Sequence, residues 1–233
     1  MTIEMNWNLG IQMARRAETV ACIVFDFDGV LVDSNAVKRK AYYEALADIP
    51  GSSEVIAELL GGPTVEPVDR YHTMGRIVSL LRARALLPGE DWPKIIAERT
   101  DRYTRICARD LPRCDEVPGA SQVLAILSQT HPLYVNSATP EPILRTAVAK
   151  RGWAAYFREV LGSPATKTAN LQRAALAEGI EPRRILFVGD SEVDRRAAEQ
   201  CRCAFVGLVI EKGRFDVPVQ QVVTDLSQLS SLL

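Results

Sequence analysis

Neither sign of charge dominates the 233-residue chain: 28 Lys and Arg stand against 29 Asp and Glu. That balance excludes a broad electrostatic attraction to nucleic acid or to acidic membranes. Local basic pairs, Arg183–Arg184 and Arg195–Arg196, read as solvated helix or loop faces. Long apolar runs are missing too, and no stretch approaches the roughly 20 residues of a membrane span. The opening MTIEMNWNLGIQMARRAETV is amphipathic and has no apolar signal-peptide core, so the protein is expected in the cytoplasm. Cysteine is sparse and odd in number: Cys22, Cys107, Cys114, Cys201 and Cys203 form no CxxC pair and no zinc spacing. They read as reduced thiols, several of them buried in strands. Repeats and low-complexity tracts are also absent. What remains is a chain 47% hydrophobic, long enough for one large domain or for a domain carrying an insertion.

Its apolar segments alternate in type. VACIVF, PLYVNS, RRILFVG and CAFVGLVI read as strands that are apolar throughout. Between them lie amphipathic helices: one opened by VPGAS, one by Pro140, one beginning near Thr168 and one from about Glu192. Buried strands separated by helices imply a parallel sheet covered on both faces, with its site outside the carboxyl ends of the strands. Residues 36–112 differ, being rich in helix formers and punctuated by IPGSS, GGPTVEPV and LPGED. They read as a helical subdomain inserted into a core made of 1–35 and 113–233.

Two of the strands end on acids. ACIVFDFDGVLVDSN runs from an apolar strand into Asp26 and Asp28, and RRILFVGDSEVD ends on Asp190 with Asp194 four residues on. A single strand-end Asp starts a turn or caps a helix. A calcium loop starting at Asp26 fails on spacing, because Leu31 stands where Gly is required and Val37 where Glu is required. Acidic tips on two strands of one parallel sheet would repel each other, a conflict that a divalent cation resolves. Carboxylates with no nearby histidine suit Mg²⁺, with Asp26, Asp28 and Asp190 as the metal-binding residues. Ser137 ends a third strand, where its hydroxyl and the following Ala138 N–H could donate to a phosphate oxygen. Lys167, in a polar loop leading into a helix, could balance the carboxylates and a developing phosphoryl charge.

DFDGV at Asp26–Val30, Ser137, Lys167 and GDSEVD at Gly189–Asp194 occur in the order found in the haloacid dehalogenase superfamily, which the chain resembles over residues 20–35 and 113–210. The resemblance is to its helical-cap phosphatase branch, which includes phosphoglycolate phosphatases and β-phosphoglucomutases. One departure is the TAN after Lys167, where many relatives have a proline-containing segment. The resemblance implies an α/β fold: a Rossmann-like parallel sheet core with helices on both faces and an inserted, mainly helical cap. It also implies a Mg²⁺-dependent phosphatase acting on a small phosphorylated metabolite through an aspartyl-phosphate. In that scheme Asp26 is the nucleophile. Asp28 is the general acid and base and lends its backbone carbonyl to the metal. Ser137, Ala138 and Lys167 bind phosphate, Asp190 ligates the metal, Asp194 orients metal-bound water or Lys167, and Gly29 allows the tight turn. Dehalogenating relatives lack the second aspartate, so Asp28 implies phosphate-ester chemistry.

Within the insert, Lys38, Arg70 and His72 are candidate substrate contacts, each more readily read as an ordinary surface residue, and His131 reads as a turn residue. A phosphomutase, passing the phosphoryl group to a second hydroxyl, shares the same core residues and stands as the alternative. A phosphate-ligand sensor without turnover ranks below both. Oligomeric state is left open by the sequence.

Overall fold

A computed structural model describes residues 20–60, 70–87, 91–209 and 215–233. Residues 1–19 of the amphipathic N-terminal stretch and all of GGPTVEPVD lie outside the described residues. The chain divides into two compact units, one of Asp33–Asp115 and the other formed by the chain up to Val32 and from Glu116 onward.

The split unit holds a six-stranded sheet, every pairing of which is parallel. Its strands are β1 (Cys22–Phe25), β2 (Leu133–Pro140), β3 (Phe157–Ser163), β4 (Ile185–Gly189), β5 (Ala204–Leu208) and β6 (Val222–Val223), in the order β3-β2-β1-β4-β5-β6. The helices between them are α5 (Ala120–Leu127), α6 (Glu141–Lys150), α7 (Lys167–Glu178) and α8 (Glu192–Cys201). Cys22 and Val24 pack with Tyr134, Phe187, Leu171, Ala174 and Ala197 in a cluster that carries α7 and α8 on one face. Ile23 and Phe25 alternate to the other face and are equally buried, so both faces are covered.

β1 lies in the middle of the sheet, with β2 on one side and β4 on the other. The chain runs outward through β2 and β3 and then returns to add β4 on the opposite side of β1. That reversal makes the carboxyl end of β1 the switch point where parallel sheets place their sites. Register settles which residues meet there. Phe25 pairs with both Val135 and Val188. One step further along, Asp26 is level with Asn136 and Gly189, and Ser137 and Asp190 follow one residue beyond.

Four strands and four helices appear as the apolar pattern predicts, with β3 and β6 in addition. β3 reads FREVLGS; as an edge strand paired only with β2 it exposes Arg158, and the polar residues break the apolar run. β6 is only two residues long. No disulfide joins the five cysteines, and only Cys22 lies in a strand; the buried Cys107 and Cys201 sit on helices and Cys114 in a loop.

The Asp33–Asp115 unit contains α1 (Asn35–Ala45), α2 (Ser52–Leu60), α3 (Arg70–Ala83) and α4 (Trp92–Asp110). Tyr42 and Tyr103 bring α1 and α4 together, their ring centroids 4.3 Å apart. The guanidinium of Arg99 on α4 grips both carboxylate oxygens of Asp48, at 2.6 and 2.8 Å. Lys38 lies on α1, and Arg70 and His72 on the first turn of α3, where the Arg70 guanidinium stacks over Tyr71.

Candidate active site

After β1 the chain stays extended long enough for Asp26 and Asp28 to share one face, while Phe27 between them points the other way and is fully buried. Burying that ring contributes about 2 kcal/mol and fixes the alternation. The chain then turns sharply: the Gly29 N–H donates to Val32 O at 2.8 Å, and Leu31 and Val32 both donate back to Phe27 O. The turn needs φ = +82° at Gly29, a conformation in which a side chain is strained. Val30, Leu31 and Val32 are buried behind it, so the two acids are anchored from both sides.

The other side chains arrive from β2, α7 and β4. Ser137 Oγ donates to Asp28 Oδ2 at 2.9 Å, and Thr139 Oγ1 donates to the same oxygen at 2.9 Å. Ala138 between them is exposed. Lys167 is the first residue of α7 rather than part of the preceding loop, behind a Thr166 cap whose side chain accepts from Ala169 N. Its carbonyl accepts from Asn136 Nδ2 at 2.9 Å, and Asn136 Oδ1 accepts in turn from Asn170 Nδ2 at 3.0 Å. Two buried amides thus join the end of β2 to the start of α7 where the sequence has TAN.

The Lys167 ammonium lies 2.9 Å from Asp26 Oδ1 and 2.5 Å from Asp194 Oδ1. Asp194 Oδ2 accepts from Ser191 N and Oγ, closing a capping box at the start of α8. Burial pushes the Asp26 carboxyl up to about 7; Lys167 opposes the rise, and Asp194 and Asp28 add to it. Burial alone would lower the Lys167 ammonium, but Asp194 and Asp26 more than reverse that and hold it above its ordinary value.

The carboxylates that gather within 4.8 Å of one another are Asp26, Asp190 and Asp194, all buried. Asp28 is not in that group, its side chain being turned to Ser137 and Thr139. Asp194 is in the group, but its two oxygens are occupied by Lys167 and Ser191. Asp26 Oδ1 is fully buried with the ammonium as its near partner, an ion pair outside hydrogen-bonding geometry. An all-oxygen cluster with an under-satisfied buried carboxylate fits a hard cation such as Mg²⁺ and has no soft donor for zinc.

A family model for haloacid dehalogenase-like hydrolases matches residues 20–202. The chain belongs to this family. It is 29% identical over 235 residues to a phosphoglycolate phosphatase of Haemophilus influenzae, spanning 91% of this chain and 97% of that one. It is 28% identical over 212 residues to the phosphoglycolate phosphatase of Shigella sonnei, 82% of each chain. The crystal structure of a predicted phosphoglycolate phosphatase from Haemophilus somnus 129PT shares the fold, with a TM-score of 0.74, 23% identity and coverage of 92% of this chain and 98% of that one. The haloacid dehalogenase-like hydrolase family and its fold are therefore those of the present chain.

Two residues at the site were not singled out in the sequence. Thr139 is one; within SATPEP it looks like strand-end punctuation. Glu192 is the other. It is buried at the start of α8 and carries Arg195 and Arg196, at 2.7 and 2.9 Å, so these arginines are not merely solvated. The Arg195 hydrogen bond leads in pulling its carboxyl down to about 2, from an ordinary 4.5. The stabilisation is therefore complete above pH 4.5 and disappears as pH falls toward 2. Glu192→Gln should destabilise the protein by about 2–3 kcal/mol at pH 7, with the difference from wild type shrinking below pH 4. Urea unfolding at the two pH values checks this, and an undiminished difference in acid would refute the charge pairing as its cause. Among the described residues no helix is long and apolar enough to cross a membrane.

Proposed function

We propose that the chain is a Mg²⁺-dependent phosphatase that hydrolyses a small phosphorylated metabolite of the phosphoglycolate kind through an aspartyl-phosphate on Asp26. The observation that carries this reading is the division of labour between two acids on one strand face. Asp26 is paired with an ammonium, as a nucleophile receiving an anionic phosphoryl group needs. Asp28 is held apart by hydroxyls, as a proton carrier needs.

Asp26 attacks phosphorus and the ester P–O bond breaks, the departing oxygen taking a proton from the Asp28 carboxyl. The resulting Asp28 carboxylate then accepts a proton from water as that water attacks the acyl phosphate. The bond from phosphorus to Asp26 breaks, inorganic phosphate leaves and both acids return to their starting forms. Ser137, Ala138 N–H and Lys167 take the phosphoryl oxygens, with Lys167 balancing the charge that develops. Asp26 and Asp190, with the Asp28 carbonyl, would hold Mg²⁺, which supplies charge neutralisation between anionic nucleophile and anionic substrate. Gly29 gives the turn its shape, and Asp194 keeps Lys167 in place.

The named relatives are phosphatases, which favours water over a second sugar hydroxyl as acceptor and leaves the phosphomutase reading without an observation of its own. Phosphate release from a panel of phosphorylated metabolites, with Mg²⁺ and with EDTA, tests the proposal. Turnover on 2-phosphoglycolate or a related small ester that EDTA stops is the expected result. Metal-independent turnover, or none on any ester, would reject it.

A further inference from the structure

Ser137 has two claims on one proton. Its hydroxyl can donate a single hydrogen bond, and in this structure that bond goes to Asp28 Oδ2. When a phosphoryl group takes the Ser137 proton, Asp28 loses that donor at the moment its carboxyl must be aimed at the leaving oxygen. Thr139 supplies the second donor to the same oxygen, at 2.9 Å. Its backbone N–H also donates to Ser137 Oγ, at 3.0 Å. That amide occupies a lone pair of the serine oxygen and leaves the serine hydrogen free to turn from Asp28 to an incoming anion. Asp28, Ser137 and Thr139 are all buried, so water is a poor substitute for either donor.

We propose that Thr139 is the positioning residue for the Asp28 proton carrier: its hydroxyl holds the carboxyl in place when Ser137 is recruited by substrate. Resting on the phosphatase reading above, this assigns Thr139 a role in leaving-group departure and none in phosphate binding. The distinction has a kinetic signature. kcat/KM reports the steps up to ester cleavage, so it senses proton donation only when the leaving group needs a proton. An alkoxide leaving group needs one; p-nitrophenolate does not.

The test compares kcat/KM on 2-phosphoglycolate and on p-nitrophenyl phosphate, with Mg²⁺ present, for wild type, Thr139→Val and Thr139→Ser. Val keeps the β-branched shape and deletes the hydroxyl; Ser keeps the hydroxyl. Thr139→Val should lose about 10- to 100-fold on 2-phosphoglycolate and less than about threefold on p-nitrophenyl phosphate, and Thr139→Ser should restore most of the loss. Both substrates are read on one preparation, so a partly unfolded variant lowers the two values together and leaves their ratio unchanged. Thr139→Ala gives the same ratio if Val does not fit. An equal fall on both esters would overturn the assignment, making Thr139 a structural or phosphate-binding residue, and so would no fall on either. A wild type that cleaves neither ester would instead remove the phosphatase reading and this assignment with it.

Discussion

Asp26→Asn should lower phosphate release by about 10⁴-fold or more and, in the absence of metal, make the protein more stable at pH 8. The first half follows from the proposed role of Asp26 as the nucleophile that forms the covalent intermediate. The second follows from the position of its carboxyl. In the unfolded chain it titrates near 3.8, and in the folded protein burial raises it to about 7. The folded state therefore holds the proton more tightly than the unfolded chain. Stability is fully retained below about pH 4 and is lost as pH rises through 7. A shift of this size is worth on the order of 2–4 kcal/mol. Asn removes the ionisation and leaves Lys167 its contact with Asp194, 2.5 Å away.

The advantage of Asn over wild type should thus be absent in acid, grow between about pH 4 and 7, and level off above. In a chain of this size 2–4 kcal/mol corresponds to roughly 4–16 °C in Tm. Thermal unfolding in EDTA across that pH range measures it. Adding Mg²⁺ should stabilise wild type and do much less for Asp26→Asn, because a ligand stabilises only the protein that binds it. A variant no more stable than wild type at pH 8 would mean that the folded protein carries no penalty for ionising Asp26. The energetic pattern is that of a functional site: local stability is given up where charge must be concentrated.

How much of this could be read from the sequence depends on distance along the chain. The alternation of Asp26, Phe27 and Asp28 is local, so one face for both acids follows from strand periodicity, and the apolar VLV after Gly29 fixes the turn. Asp190 and Ser137 come next, because parallel strands with apolar interiors must bring their carboxyl ends together. What periodicity does not convey is which partner each side chain chooses. Asp28 turns to two hydroxyls, one of them on a threonine that looks like strand-end punctuation. Asp194 gives both its oxygens to Lys167 and Ser191. The Asn136–Asn170 bridge depends on two buried amides 34 residues apart meeting across β2 and α7. β3 escaped notice because it is an edge strand, where one side faces outward and polar residues cost little.

The second large effect comes from an atom that is missing. Gly189 ends β4 directly before Asp190, and a Cβ there would stand 2.3 Å from Asp194 Cβ and 2.6 Å from its Cγ. That side chain cannot yield cheaply. Asp194 is fully buried, tied through one oxygen to Lys167 and through the other to the Ser191 cap of α8. In Gly189→Ala either α8 backs away from the sheet or the end of β4 bends, and both movements displace Asp190 and loosen Lys167. The expected result is a loss of about 2–3 kcal/mol in unfolding free energy, typical of an overpacked core, together with at least about a 100-fold fall in kcat. The double variant Gly189→Ala/Asp194→Gly separates the two consequences. It removes the obstructing Cβ and should recover part of the stability, less about 1 kcal/mol for a glycine inside a helix. Activity should stay low, because Lys167 then has no Asp194 to hold it between the carboxylates. Full recovery of turnover in the double variant would show that Asp194 matters only as an obstacle, and that Lys167 finds its place beside Asp26 unaided.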